Sequence, residues 1–262
     1  MNKISVITIS FNQGRFLKAC IESVLSQAFP SVELIVVDPG STDGSRELIQ
    51  SYGDRLKPIF RPDAGPADGL NHGFEAATGD IFCFINADDF LLPDSLRFVN
   101  AFFDSRRQVD VLYGGGYFAD KQGQLTRRCF PSLFEKRLFA YGAINTFQQG
   151  FFFRAHAFNG AGGFNVKNAV CWDGELFLKL KLEGYAFFGV SRPLGAFRQY
   201  QGTITGGNTY KAKLDAEYGR LFRMVTGRGF QKFDSLIEYF LLPVKKLTIV
   251  CIAVRSWALG YA

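Results

Sequence analysis

Three apolar runs in the first third of the chain share one pattern: each reads as a buried strand and each stops on polar residues. Ile4-Ser5-Val6-Ile7-Thr8-Ile9-Ser10 leads into Phe11-Asn12, and Val32-Glu33-Leu34-Ile35-Val36-Val37 leads into Asp38-Pro39-Gly40. Phe82-Cys83-Phe84-Ile85 runs into Asn86-Ala87-Asp88-Asp89. Between the first two runs, Phe16, Leu17, Cys20, Ile21, Val24 and Leu25 recur at helical spacing, and Asn12 is placed to cap that helix. Thr42-Asp43-Gly44-Ser45 opens a second helix through about Tyr52, a short strand follows near Pro58 to Phe60, and Pro66 to Ala77 makes a third helix. This alternation predicts an α/β fold with a mostly parallel, Rossmann-like sheet covered by helices on both faces. The polar strand ends then converge on one edge, where open α/β sheets bind ligands.

The adjacent carboxylates Asp88 and Asp89 are the sharpest chemical feature of that edge. Like charges side by side call for a positive partner, and a divalent cation such as Mg²⁺ or Mn²⁺ clamping a diphosphate is the simplest one. A solvated Asp-Asp turn is the alternative for the pair taken alone.

The second half has its own strands and helices. Leu125 to Phe130 and Thr146 to Phe153 read as strands, and the stretch from Cys171 to Leu180 as a helix with Leu176, Phe177 and Leu180 facing the core. Asp173 stands at or near the start of that helix, where an ordinary N-cap role competes with a chemical one. The tail from Leu247 to Ala262 carries one charge, Arg255, and follows Lys245-Lys246. About 16 residues fall short of the roughly 20 that span a bilayer. The tail therefore either packs on the core or lies as an amphipathic anchor on a membrane surface, with Trp257 and Tyr261 at headgroup depth.

A chain of 262 residues with 47% hydrophobic content buries a substantial core, which favours one catalytic domain with a C-terminal extension. Most of the 29 Phe residues read as core or as the wall of an acceptor groove. Five scattered cysteines, odd in number and without C-x-x-C spacing, predict reduced thiols and a cytoplasmic protein, and the first strand starts too close to Met1 for a signal peptide. The net charge of +6 and pI near 9.1 come without any nucleic-acid-binding motif. Nucleic acid is therefore not the expected partner; a diphosphate, an anionic lipid or the inner face of a membrane suits the charge equally. His72 and His156 are too isolated for a histidine metal site.

Four strings in order give the chain a recognisable likeness. Ile7-Thr8-Ile9-Ser10-Phe11-Asn12, then Glu33-Leu34-Ile35-Val36-Val37-Asp38 with Gly40-Ser41-Thr42-Asp43-Gly44-Ser45, then Arg61 to Gly73 with Ala77-Thr78-Gly79-Asp80, and finally Asn86-Ala87-Asp88 resemble the nucleotide-sugar half of a family 2 glycosyltransferase of the GT-A fold. Gln148-Gln149-Gly150 and Gly162-Gly163-Phe164-Asn165 are similar to the acceptor-side segment of that family. The resemblance implies a catalytic domain over residues 1–205, divided into a nucleotide-sugar half (1–105) and an acceptor half (106–205), with C-terminal helices over 206–262. It implies an inverting transfer from a nucleotide-diphosphate sugar, UDP-type favoured, to a hydroxyl of a saccharide or lipid-linked saccharide, as in bacterial cell-surface polysaccharide or glycolipid assembly.

The resemblance also implies residue roles. Thr8, Ser10, Asn12 and Asp38 would line the nucleotide pocket, and Asp68 and Asn71 would reach ribose or phosphate. Asn86 stands first in the D-x-D position, and Asp88, with Asp89 as alternative ligand, would hold Mn²⁺ or Mg²⁺. Asp173 would be the catalytic base, with Glu175 next in line. Arg198 and Gln201 would belong to a loop over the diphosphate, with a structural salt bridge the competing role for Arg198. The chain departs from the family pattern at Asn86, at Pro39 after Asp38, and at Trp172, where the Glu of a Glu-Asp motif is usual. Those departures leave a catalytically degenerate nucleotide-sugar-binding protein as the alternative. A nucleotidyltransferase lacks support, because no Gly-rich, Lys-bearing phosphate loop follows the first strand.

Overall fold

A computed structural model describes residues 1–200 and 210–262. Its elements in chain order are β1 (Ile4–Ile9), α1 (Gly14–Leu25), β2 (Val32–Val37), α2 (Ser45–Ser51), β3 (Lys57–Ile59), α3 (Pro66–Glu75), β4 (Ile81–Asn86), β5 (Phe90–Leu91) and α4 (Ser95–Ser105). There follow β6 (Val111–Ala119), β7 (Leu125–Cys129), α5 (Lys136–Ala140), β8 (Phe151–Arg154), α6 (Ala155–Gly160), α7 (Trp172–Leu182), β9 (Phe187–Arg198), α8 (Lys211–Thr226) and α9 (Asp234–Ala258). The strands form one sheet in the order β3-β2-β1-β4-β8-β6-β9-β5, with β7 paired to β6.

The parallel set β3-β2-β1-β4 is the part that the apolar runs predict, in register Ile4↔Val32 and Ile4↔Ile81. Alternating residues of these strands feed two cores, one on each face. Val6, Leu34, Val36, Cys83 and Ile85 pack with Leu17, Ile21 and Val24 of α1. Ile7, Ile35, Val37, Phe82 and Phe84 pack with Leu70 and Phe74 of α3 and with Leu176, Phe177 and Leu180 of α7. The sheet continues through antiparallel β8 and then pairs β6 with β9 in parallel. That last register slips on either side of Gly115, which bends the sheet there.

Beneath the binding edge, Glu33 ties β2 to β1 and to the turn before β4. It accepts hydrogen bonds from Ser5 Oγ (2.6 Å), Thr78 N (2.8 Å), Thr78 Oγ1 (2.9 Å) and Lys3 Nζ (3.0 Å). Burial pushes its carboxyl up, but these donors outweigh burial and bring it down to about 2. A depressed carboxylate contributes stability above its unfolded value near about 4.3, and that stability drains away as pH falls towards 2. Glu33→Gln is expected to remove on the order of 2 kcal/mol at neutral pH and to flatten the stability profile between about pH 4.5 and 2, as read by urea denaturation at each pH.

Three local expectations need correction. Asn12 does not cap α1: the capping position is Gln13, without a side-chain hydrogen bond, while Asn12 has a positive φ of 53° and accepts from Thr42 N through Oδ1 at 2.9 Å. Its short amide tolerates that backbone and links the loops after β1 and β2. Residues 148–150 form a 3-10 turn rather than strand, and only Phe151–Arg154 is extended. The tail helix starts well before Leu247, at Asp234, and Tyr261 is packed against Phe98, Phe102 and Phe188 rather than free. No helix among the described residues is long and apolar enough to cross a membrane.

Candidate active site

The polar ends of β1 and β4 open into a cleft of 940 Å³. That volume sits at the upper end of the range for small-molecule sites, about 300–1,000 Å³, and suits a ligand the size of a nucleotide sugar. Its lining takes Ser10, Phe11, Gln13, Pro39 and Asp63 from around the ends of β1 and β2 and before α3, Asn86 and Asp88 from the end of β4, and Phe118, Phe147, Gln148, Trp172, Asp173, Phe197 and Tyr200 from the second half of the chain.

The cleft is short of hydrogen-bond partners. Ser10 Oγ, Gln13 Oε1, Asn86 Oδ1 and Gln148 Oε1 are buried oxygens on lining residues, and none has a partner; Asp38 Oδ2 and His72 Nδ1 share that state. An unsatisfied buried polar group costs roughly 1–3 kcal/mol, so four of them on residues lining one cavity point to a ligand that supplies the missing donors. Sugar hydroxyls and the N–H of a nucleobase are such donors. Asp38 is fully buried, and its other oxygen is taken by Gly40 N (2.9 Å), Ser41 N (2.8 Å) and Arg46 Nε (3.1 Å). The carboxylate is thus held rigidly with one oxygen spare.

The two acids after β4 part company. Asp88 faces the cleft, and Tyr200 Oη donates to its Oδ2 at 2.9 Å. Asp89 is fully buried and accepts from Arg198 N (2.9 Å) and Gln149 Nε2 (2.7 Å), with Asn86 Nδ2 farther off at 3.4 Å. Burial raises both carboxyls, and the charge of Asp88 raises Asp89 further against those three donors. Asp89 therefore braces the turn instead of reaching the cavity. Arg198 does the same from the other side: it is 3% exposed and donates through Nε to Asp88 O (2.8 Å) and through a terminal nitrogen to Lys121 O (2.9 Å). No salt bridge to an acid claims its guanidinium among the described residues, and Gln201 lies outside them.

Asp173, also in the lining, is the second residue of α7, whose capping position, Cys171, makes no side-chain capping bond; the Asp173 carboxyl itself meets the backbone N–H groups of Asp173 and Gly174. The carboxyl lines the cavity, and burial raises it above the usual range although it sits in the first turn of a helix. Glu175 does not line the cavity. It is 2% exposed and accepts from Asn165, Asn168 and Arg220 of α8, which commits it to structure.

The remaining sequence-derived candidates fall outside the lining. Thr8 is fully buried against Cys20, at 3.7 Å, because strand alternation turns it to the α1 face. Asp68 accepts from Ala64 N at 2.9 Å and lies 3.6 Å from His72, shaping the start of α3. Asn71 is used up in a reciprocal pair with the backbone of Phe164, at 3.0 and 2.9 Å. Conversely, Gln13, Asp63 and Tyr200 line the cleft without having been singled out. Gln13 and Tyr200 lie within two residues of Asn12 and Arg198, and Asp63 lies inside the Arg61 to Gly73 string.

The apposition of Gln148 and Gln149 to the acidic turn depends on glycine. A Cβ on Gly195 would fall 2.7 Å from Gln149 Cβ, and one on Gly150 would fall 2.6 Å from Gly114 O. Only a bare backbone lets the 148–150 turn reach β6 and β9 this closely.

A curled α/β sheet with an acidic turn at its binding edge, and a carboxylate facing that turn across a cavity, defines the GT-A class of sugar transferase folds. The sequence profile of Glycosyl transferase family 2 matches residues 5–160, and the chain belongs to that family. The putative glycosyltransferase EpsE of Bacillus subtilis is 31% identical over 205 residues, which is 75% of this chain and 73% of that protein. The uncharacterized glycosyltransferase alr2836 of Nostoc is 39% identical over 115 residues; the match takes in 42% of this chain and only 36% of that protein's length. Among solved structures, S. aureus TarS 1-349 in complex with UDP-GlcNAc superposes with a TM-score of 0.71 at 17% identity, covering 99% of this chain and 76% of that one. The mannosyltransferase PcManGT from Pyrobaculum calidifontis, in complex with GDP-Man and Mn²⁺, gives 0.66 at 16% identity, covering 98% and 75%. At these identities the structures show a shared fold.

Proposed function

We infer that the chain transfers a sugar from a nucleoside-diphosphate sugar to an acceptor hydroxyl with inversion at the anomeric carbon. The observation that carries this reading is the set of unpartnered buried oxygens on residues lining a cavity that Asp88 and Asp173 also line. The nucleotide lies on the β1–β2 side, where Ser10 and Gln13 accept from ribose, and Asp38, buried behind the lining at Pro39, holds the turn through Gly40 N and Ser41 N. Asp173 takes the proton of the acceptor hydroxyl as that oxygen attacks the face opposite the leaving diphosphate. Phe118, Phe147, Phe197 and Trp172 give the acceptor side an apolar wall suited to the C–H faces of a saccharide. Residues 1–205 make up the catalytic domain in this reading, with a boundary that lies outside the described residues.

The donor set at the acidic turn fits Mn²⁺ or Mg²⁺ completed by diphosphate oxygens and water. Asp88 contributes one carboxylate and Asn86 an unpartnered amide oxygen, while among the described residues no cluster of three or more ligating side chains would hold a metal unaided. A cation held there supplies Lewis-acid neutralisation of the departing diphosphate. TarS with UDP-GlcNAc and PcManGT with GDP-Man and Mn²⁺ support a nucleotide-sugar donor and a metal, and a UDP-type donor is the one we favour. In this reading the acceptor is a saccharide, free or lipid-linked, as in bacterial cell-surface polysaccharide or glycolipid assembly. Five free cysteines, four of them buried, suit the reducing cytoplasm.

The test is release of nucleoside diphosphate from a panel of UDP- and GDP-sugars with Mn²⁺ or Mg²⁺ present, with and without saccharide acceptors. Turnover of one donor is expected, accelerated by its acceptor. Tight donor binding with no turnover in any combination would instead support the degenerate binder that Asn86 and Trp172 bring to mind.

A further inference from the structure

We propose that the outer face of α9 is a docking surface for an anionic lipid bilayer, on which the helix lies flat. The observation is a stripe. Leu236, Phe240, Leu247, Val250, Val254 and Trp257 are 62, 71, 62, 56, 60 and 79% exposed. At about 100° per residue these six positions fall on one side of the helix, along about 32 Å of its axis, and no charged residue interrupts them. Scattered single exposed apolar residues need no explanation; a continuous line of this length does.

The helix is fixed so that this side stays outward. Only Asp234, Ile252 and Ser256 of α9 are buried. Asp234 is held by Arg228 at 2.7 Å and by Tyr141 at 3.1 Å. At the far end, Ser256 Oγ accepts from Ser191 N at 2.8 Å and Arg255 donates to Gly189 O at 2.7 Å. Both anchor points on the body at that end belong to β9, the strand that also delivers Phe197 to the cleft.

Charge decides between occupants. From Tyr210 to Ala262 the chain has nine Lys and Arg against four Asp and Glu. Lys246 borders the stripe, while Arg255 is turned to β9 and Lys245 lies on the opposite side; Lys246 and Lys232 pair with no acid among the described residues. A second copy would bring like charges against each other along the same seam. Anionic lipid matches the apolar stripe and its basic border at once, each basic residue near such a surface adding to the attraction and its stem reaching to the headgroups. With Lys245 and Lys246 at mid-helix and no span long and apolar enough to cross, the helix lies in the interface rather than through it.

The full chain sedimented with vesicles of phosphatidylcholine containing 30% phosphatidylglycerol tests this, alongside pure phosphatidylcholine vesicles. Binding to the anionic vesicles is expected, weaker by tenfold or more on the neutral ones, together with a blue shift of Trp257 emission. The double substitution Val250→Glu and Val254→Glu changes only exposed positions, so the melting temperature is expected to hold while vesicle binding falls at least tenfold. Wild-type chain that stays in the supernatant with both vesicles overturns the proposal. So does a concentration-dependent dimer, measured by light scattering, that the double substitution dissolves, since that assigns the stripe to a second copy. Donor turnover with a soluble acceptor reads the cleft and not α9, so the two inferences fail separately.

Discussion

Replacing Asp173 with asparagine is expected to lower turnover by about 10² to 10⁴-fold while leaving donor affinity nearly unchanged, the signature of a lost general base. The substitution keeps size and shape, and an amide oxygen can still accept from the backbone N–H groups of Asp173 and Gly174 that the carboxyl meets in the first turn, so α7 is expected to survive. Burial raises this carboxyl above the ordinary value near about 3.9. The folded chain therefore holds the proton more tightly than the unfolded one. The ionised form present at neutral pH is the less stable form of the fold, and the group's contribution to stability grows as pH falls through the raised value. Asn removes that cost, and the variant is expected to melt no lower than the wild type at pH 7. Activity runs the other way. The base works only when deprotonated, so the acid limb of the kcat profile is expected at higher pH than an exposed aspartate would give, and to vanish from the residual activity of Asp173→Asn. Near-normal transfer by this variant to a working acceptor would remove the base role. Glu175 would not inherit it, because Asn165, Asn168 and Arg220 already occupy its oxygens.

The first half of the fold was legible because its strands are buried on both faces, so their apolar runs stand out without any knowledge of partners. Ile4–Ile9, Val32–Val37 and Ile81–Asn86 lie where the runs put them. The second half depends on contacts far apart in sequence, which leave little local trace. The 148–150 turn looks like strand because Phe147 and Phe151 flank it, yet it turns to let Gln149 reach Asp89, 60 positions away. Site residues divide in the same way. Asp88 and Asp173 announce themselves as carboxylates at the ends of elements. Whether an acid faces the cavity or braces it is decided by one residue of register: Asp88 looks out, and Asp89 looks in towards Arg198 and Gln149. Asn71 and Thr8 carry the right chemistry and are spent on Phe164 and Cys20. A string of residue types does not encode which polar groups the fold itself consumes.

That distinction makes Asp88 the residue on which donor binding is expected to turn. A saturating nucleoside diphosphate is expected to raise the melting temperature by roughly 5 to 10 °C with Mn²⁺ or Mg²⁺ present, because ligand at about a hundred times its Kd stabilises the native state by about 2.7 kcal/mol. Chelation of the metal by EDTA is expected to abolish most of the shift. Asp88→Ala is expected to abolish it even with metal, since the acid turn would then offer the cavity only the uncharged amide of Asn86, Asp89 being buried behind Gln149 and the Arg198 backbone. The fold is expected to survive the change, because burial already disfavours the Asp88 charge and that charge in turn raises Asp89. Tyr200→Phe separates the carboxylate from its hydrogen-bond partner: it removes the donor to Asp88 Oδ2 and keeps the ring that lies 4.9 Å from Phe16. It is expected to retain the metal-dependent shift, which shows that the loss in Asp88→Ala comes from the missing carboxylate and not from a disturbed Tyr200. A full shift in Asp88→Ala would take this residue out of the site and leave Asp63, which also lines the cavity, as the carboxylate to test.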